Sequence, residues 1–279
     1  TGSDKERSFL QHGCEALERH LSDAQWTDAK QHLLDAMKHP GFWNDDTRFA
    51  TLAQVENMDS IEAGFATAQS LLRRLGARSG RSAPASIVSN LAQLLYLLEH
   101  ALEDRAHGRS RDVYIGIDAV ATDGASARTA AWKLEITRMY QAWATRRRMR
   151  WETLTSRTPR AAVLLSVSGF GAHGILAREI GVHVLEIPDA EGGFDRHSVR
   201  VRVVPQPLVP TRGDADAGEV ASRALDACEG NLNAIVRRYR RDPSPLVRDA
   251  VAGWRSGRID QVLDGNFDLM ANEDAPRAA

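Results

Sequence analysis

The stretch from Val163 to Val204, VLLSVSGFGAHGILAREIGVHVLEIPDAEGGFDRHSVRVRVV, constrains this chain more than any other. An apolar run of strand length leads into a glycine turn and a short helical segment. A second apolar run follows, and beyond Gly192-Gly193 a third segment alternates apolar and polar residues. Gly169, Gly171 and Gly174 also spell G-x-G-x-x-G, the phosphate-cradling turn of a dinucleotide-binding βαβ unit. The spacing argues against that use. The acid that would reach a ribose hydroxyl should lie about 20 residues on, whereas Glu186 follows Gly174 by 186 − 174 = 12 positions. A helix that short cannot cross a sheet and return. Glycines at a strand–helix turn need no ligand to justify them.

The rest of the chain supplies the context. Residues 4–38 show helical periodicity through Leu10, Cys14, Leu17 and Leu21, then Trp26, Ala29, Leu33 and Met37, and His39-Pro40-Gly41 stops it. Phe42-Trp43 reads as an apolar anchor. Further helices are expected to about Arg74 and over 85–107, with a loop at 76–84. The pattern then changes. Asp112–Asp118 alternates as a half-buried strand does, and Arg128–Arg147 reads as an amphipathic helix ending in Arg146, Arg147, Arg148 and Arg150. Strands are expected at 151–154, 162–168, 182–187, 198–204 and 234–241, and helices at 172–180, 218–228 and 259–263. The strand at 234–241 carries a second basic run, Arg237, Arg238, Arg240 and Arg241. Cations suit a helix C-terminus and are often only solvated there. RNA contact is the alternative.

Net charge is −1, so any polyanion-binding surface must be a local patch. Cys14 and Cys228 stand far apart with no metal or disulfide spacing, which points to a reducing cytoplasm. No apolar run is long enough to span a bilayer, and the polar start TGSDKERS does not read as a signal peptide. No cofactor or metal is implied.

Several collinear motifs carry a resemblance. They are Pro40-Gly41-Phe42-Trp43-Asn44, Tyr114-Ile115-Gly116-Ile117, and Trp132 with Arg138-Met139-Tyr140 and Trp143-Ala144. Gly174 with Glu179-Ile180-Gly181-Val182-His183 follows, then Gly192-Gly193 with Arg196-His197-Ser198, and finally Val262-Leu263-Asp264-Gly265-Asn266. In this order the chain resembles the bacterial class-I peptide chain release factors, on the release factor 2 branch, over about residues 28–270. The resemblance implies an α+β fold. A helical N-terminal domain (1–108) would be followed by a release-factor-like central α/β superdomain (109–270) that includes the C-terminal strand and helix. A short linker (205–233) would stand where the family carries its hydrolytic domain, and a disordered tail would follow at 271–279.

The departures matter for function. The sequence contains no Gly-Gly-Gln, the family's hydrolytic tripeptide, and no other catalytic residue is implied. Where the Ser-Pro-Phe stop-codon tripeptide is expected stand Ile187, Pro188 and Asp189. The segment reading the first uridine becomes Ala125-Ser126-Ala127-Arg128-Thr129, so Arg128 stands where a carboxylate is expected. His197 keeps the position of the base-stacking histidine and Ser198 replaces its threonine. The candidate RNA-binding residues are therefore Arg146, Arg147, Arg148, Arg196, His197, Ser198, Arg237 and Arg238. The expected protein is non-hydrolytic and binds the ribosome or another structured RNA. An off-ribosome RNA-binding regulator, or a scaffold that takes a protein partner through its helical domain, is the alternative.

Overall fold

The computed structural model describes residues 3–77, 84–120, 126–155, 162–208 and 217–270. The expected loops at 76–84 and 119–126, the middle of the linker and the tail at 271–279 lie wholly or partly outside those residues. The chain divides into two compact units, one ending at Arg111 and one beginning at Asp112.

The first unit is helical: α1 (Asp4–Leu21), α2 (Ala24–Met37), α3 (Arg48–Gly76) and α4 (Ala85–Ala106). The continuous periodicity over 4–38 is in fact two helices. Asp23 leaves the helical conformation and its carboxylate accepts the Gln25 amide as the N-cap of α2. Leu10, Cys14 and Leu17 of α1 are buried, as are Met58, Ile61, Phe65 and Leu75 of α3 and Leu91, Leu95 and Leu98 of α4. Of the expected α2 stripe only Trp26 is fully buried; its indole N–H donates to Glu62 at 2.9 Å. The Phe42-Trp43 anchor is half correct, because Phe42 is buried and Trp43 exposed.

The second unit is built on one mixed sheet. Its strands are β1 (Asp112–Ala119), β2 (Arg150–Leu154), β3 (Val163–Ser168), β4 (Gly181–Pro188), β5 (Phe194–Pro205), β6 (Ile235–Arg240), β7 (Leu246–Asp249) and β8 (Arg255–Ser256). Their order is β2-β3-β1-β5-β4-β6-β7-β8. Among the described residues only β4 and β6 pair in parallel, and every other pairing is antiparallel. The helices are α5 (Ala127–Arg146), α6 (Ala172–Leu176) and α7 (Ala217–Asp226), and short turns over 259–269 close the chain. The strand expected at 198–204 begins earlier, at Phe194, and β7 and β8 correspond to no expected element. The fold is α+β, and the C-terminal strands complete the same sheet as residues 112–206.

Period-two alternation sorts this sheet into two faces. Odd-numbered positions of β1, β3 and β5 (Val113, Ile115, Ile117, Leu165, Val167, Val199, Val201, Val203) are buried. They meet α5, whose Trp132, Ile136, Met139, Tyr140 and Trp143 are fully buried. On the opposite face, α7 packs Ala221 and Leu225 against Tyr114, Leu164 and Val204.

This topology rules out a dinucleotide cradle. Strands β3 and β4, on either side of the glycine turn, run antiparallel and are separated by β1 and β5, so no βαβ crossover exists. The glycines serve geometry. Gly171 takes φ +69° at the start of α6, and a Cβ on Gly169 would sit 2.6 Å from Met149 Cγ.

Candidate nucleic-acid interface

The half of the sheet that α7 leaves uncovered carries arginine. Register aligns Ser198, Val184, Arg238, Arg248 and Arg255 across β5, β4, β6, β7 and β8. The next row aligns Arg196, Glu186, Arg240 and Leu246. In these two rows five arginines (196, 238, 240, 248 and 255) face one carboxylate, Glu186. Glu186 accepts from Arg238 at 3.1 Å and lies 3.9 Å from Arg196. Arg196, Arg248 and Arg255 are exposed. Neighbouring strands lie only about 4.8 Å apart, and like charges directly opposite each other destabilise a sheet. Arg238, Arg248 and Arg255 form such a row, with Glu186 paired to Arg238 at one end.

Two further arginines lie nearer α7. Arg202 pairs with Asp118 and Asp226. Arg200 donates to the Leu232 carbonyl at 3.1 Å and to the Asn233 side chain at 2.9 Å. At the far edge Arg240 donates to the Ser244 carbonyl at 3.2 Å and lies over the Phe194 ring, 5.6 Å from its centroid.

The residues singled out from sequence do not form one surface. Arg196, Ser198 and Arg238 lie on the arginine face. Arg146, Arg147 and Arg148 end α5, on the other side of the sheet. Arg147 is buried, its guanidinium gripping Asp268 through two bonds of 2.9 and 2.5 Å, while Trp143 donates to the same carboxylate at 3.0 Å. It staples the closing turn to α5 and is not a surface cation. Arg146 donates to the Asp264 carbonyl at 2.6 Å. Arg148, at φ +58°, is exposed where the helix ends.

Arg237 is 1% exposed, because it sits one position out of phase with Arg238 and points beneath α5. It bonds Glu179 at 2.8 and 3.1 Å and Asp249 at 2.8 and 2.6 Å. The Trp254 and Phe267 rings lie 5.2 and 5.3 Å from its guanidinium carbon. His197 is also on the inner face, 9% exposed, with Nδ1 3.2 Å from the Thr129 hydroxyl. Strand alternation places it opposite to Arg196 and Ser198, so it cannot stack on a base beside them.

The rewritten reading turn has a structural logic of its own. The Asp189 carboxylate accepts the Glu191 and Gly193 amides at 2.9 and 2.7 Å, which closes the β4–β5 hairpin. A Cβ on Gly193 would meet that carboxylate at 2.6 Å. Ile187 pairs with Asp195, and Pro188 with Phe194, leading into the turn. Arg128 is exposed in the first turn of α5, where Ser126 caps the helix by accepting the Thr129 amide at 3.0 Å. A cation is unfavourable at that end of a helix, so its presence is not a helix-stabilising choice.

Under α5, Arg237 anchors a fully buried polar network. Tyr140 donates to Glu179 at 3.0 Å, and the Tyr239 hydroxyl lies 3.2 Å from His183 Nδ1. Burial opposes the charge on Arg237, but Glu179 and its other neighbours hold the guanidinium charged. Burial pushes the Glu179 carboxyl up, against the pull of Arg237. Burial and then the Arg237 charge depress His183 to about 3, so it stays a neutral imidazole at physiological pH. The unfolded chain protonates this histidine near pH 6.5, whereas the folded chain does not until about 3. Stability is therefore lost as pH falls below 6.5, by up to about 1.4 kcal/mol per pH unit. Unfolding free energies at pH 7.5, 6 and 5 should show this slope, and His183→Gln should flatten it. Equal slopes in the two proteins would assign the acid sensitivity elsewhere.

The PCRF domain family model matches residues 10–203, well over half of the chain, and the protein belongs to this family of release-factor-like proteins. A solved structure, RF2 of Thermus thermophilus, aligns at 18% identity and a TM-score of 0.46, covering 92% of this chain and 96% of that one. No curated protein matches the chain in sequence. No helix among the described residues is long and apolar enough to cross a membrane.

Phe194, Arg248 and Arg255, which also lie on this face, are not among the candidates read from the sequence, and Arg240 is there only as part of a basic run. The alternation Arg238-Tyr239-Arg240 was the available signal for one face of β6. β7 and β8 are four and two residues long, too short for a readable period.

Proposed function

We propose that this chain is a non-hydrolytic, release-factor-like protein that binds the ribosome or ribosomal RNA in the cytoplasm and modulates translation without stop-codon-dependent peptide release. The open arginine face of the sheet carries this reading. Arginine side chains on a solvent-facing surface bind phosphates without regard to sequence and release counterions in doing so. Membership of a release-factor-like family makes ribosomal RNA the favoured source of those phosphates. Two further observations support the non-hydrolytic part. Residues 206–234, between β5 and β6, contain α7 and no Gly-Gly-Gln. At the expected stop-codon tripeptide, Asp189 is committed to closing a hairpin.

A second reading, an RNA-binding regulator that acts off the ribosome, is favoured by that rewritten turn, since nothing in it is arranged to read a stop codon. The exposed Phe9 and Trp43 of the helical unit suit a protein partner under either reading. Sucrose-gradient cosedimentation at low and high salt separates the two RNA readings. Salt-sensitive migration with ribosomes supports the first. Persistent absence from ribosomal fractions, with retained binding to isolated RNA, supports the second. Peptidyl-tRNA release above background would overturn the non-hydrolytic assignment.

A further inference from the structure

We infer that the RNA taken by the arginine face is single-stranded, with an unpaired base stacking at the Phe194–Arg240 pair while its backbone runs along the row of Arg238, Arg248 and Arg255. The inference rests on the RNA-binding reading above and specifies its ligand.

Phe194 opens β5 at an even-numbered position, so its ring stands on the same face as Arg196 and Arg238. On that face Phe194 pairs with Pro188 and neighbours Arg196 and Glu186, with Val184 and Leu246 further along. The ring is half-buried and lies under the Arg240 guanidinium. The Arg240 Nε bond to the Ser244 carbonyl holds the guanidinium plane in place. A fixed guanidinium over an aromatic ring is a stacking platform: bases stack on aromatic rings and on arginine planes alike. Arg240 belongs to the row that begins with Arg196, one row from Arg238, and Phe194 lies in the next row out, paired with Pro188. A nucleotide whose base stacks there has its phosphates within reach of the arginine ladder. A duplex keeps its base faces inside the stack and has nothing to offer Phe194. It would engage the arginines alone.

The test uses the full chain and two fluorescent probes: an RNA of about 12 nucleotides, within the range of single-strand site sizes, and the same strand annealed to its complement. Affinities are measured over a salt series for the parent protein, Phe194→Ala, Phe194→Tyr and Arg248→Ala. The single strand is expected to bind more tightly than the duplex at equal salt. Phe194→Ala should weaken single-strand binding about tenfold and leave both its salt slope and the duplex affinity unchanged. Phe194→Tyr should retain binding, which separates stacking from damage to the fold. Arg248→Ala should weaken both probes and lower the salt slope. If Arg248→Ala behaves so but Phe194→Ala has no effect, or the duplex binds as tightly as the single strand, the inference fails and the RNA-binding reading stands. If neither probe binds, both fail.

Discussion

Replacing Arg237 by alanine should cost the sheet unit about 3–5 kcal/mol, the usual penalty for removing one partner of a buried ion pair. The reason lies in what stays behind. Glu179 and Asp249 are almost completely inaccessible, with side chains 4% and 3% exposed, and Arg237 is the cation that neutralises both. Without it, two carboxylates face each other under α5, flanked by the Trp254 and Phe267 rings. Asp249 also accepts the Val251 and Ala252 amides at 2.9 and 2.6 Å, so it cannot turn away. The damage should be repaired in part by Glu179→Gln and Asp249→Asn introduced together with Arg237→Met. That combination removes the charges and keeps the amide acceptors. Urea unfolding of the three proteins measures the effect. A loss below about 1 kcal/mol for the single variant, within the range of an exposed ion pair, would show that Arg237 is not the keystone of this network.

The second large effect is expected at Gly265, in the turn that follows Val262-Leu263-Asp264. Gly265 adopts φ +87°, a conformation that L side chains rarely take. A Cβ there would land on the Trp143 backbone nitrogen and lie 2.8 Å from the Ala142 carbonyl carbon. Neither atom can move, because both belong to the body of α5. Gly265→Ala should therefore cost roughly 2–5 kcal/mol, combining backbone strain with overpacking. It should also loosen the Arg147–Asp268 clamp, since Asp268 lies three residues on, in the next turn. Gly253 is the control. It too has a positive φ, +73°, but no atom lies within 4 Å of its would-be Cβ. Gly253→Ala should lose only the conformational part, about 1–2 kcal/mol. Equal losses at the two positions would mean that close approach to α5 is not what requires glycine at 265.

These positions differ in how far their roles are legible in the sequence. The α+β class, α5 and most strands of the sheet were legible because their apolar periods are long and clean. The Val-Leu-Asp-Gly motif was legible as a family signature, but its physical basis was not, because contact with α5 spans more than a hundred residues of sequence. The basic runs misled for one reason: a run of adjacent arginines ignores the period of the element that carries it. On β6, consecutive arginines point to opposite faces, so Arg237 becomes a core residue and Arg238 a surface one. At the end of α5, Arg147 turns inward to Asp268 while Arg148 stays exposed. His197 failed in the same way, one step out of phase with Arg196 and Ser198. The arginine face depends on the pairing of β7 with β6 and of β8 with β7, which no local pattern announces.

RNA binding through the arginine face of the sheet can be read in solution. The most direct measurement is the salt dependence of the chain's affinity for ribosomal RNA, compared with that of the Arg238→Ala/Arg248→Ala double variant. Binding should be weaker in the variant, with a log–log salt slope shallower by roughly one to two as two phosphate contacts are lost. Binding of unchanged strength and unchanged slope in a folded double variant would contradict binding through this face.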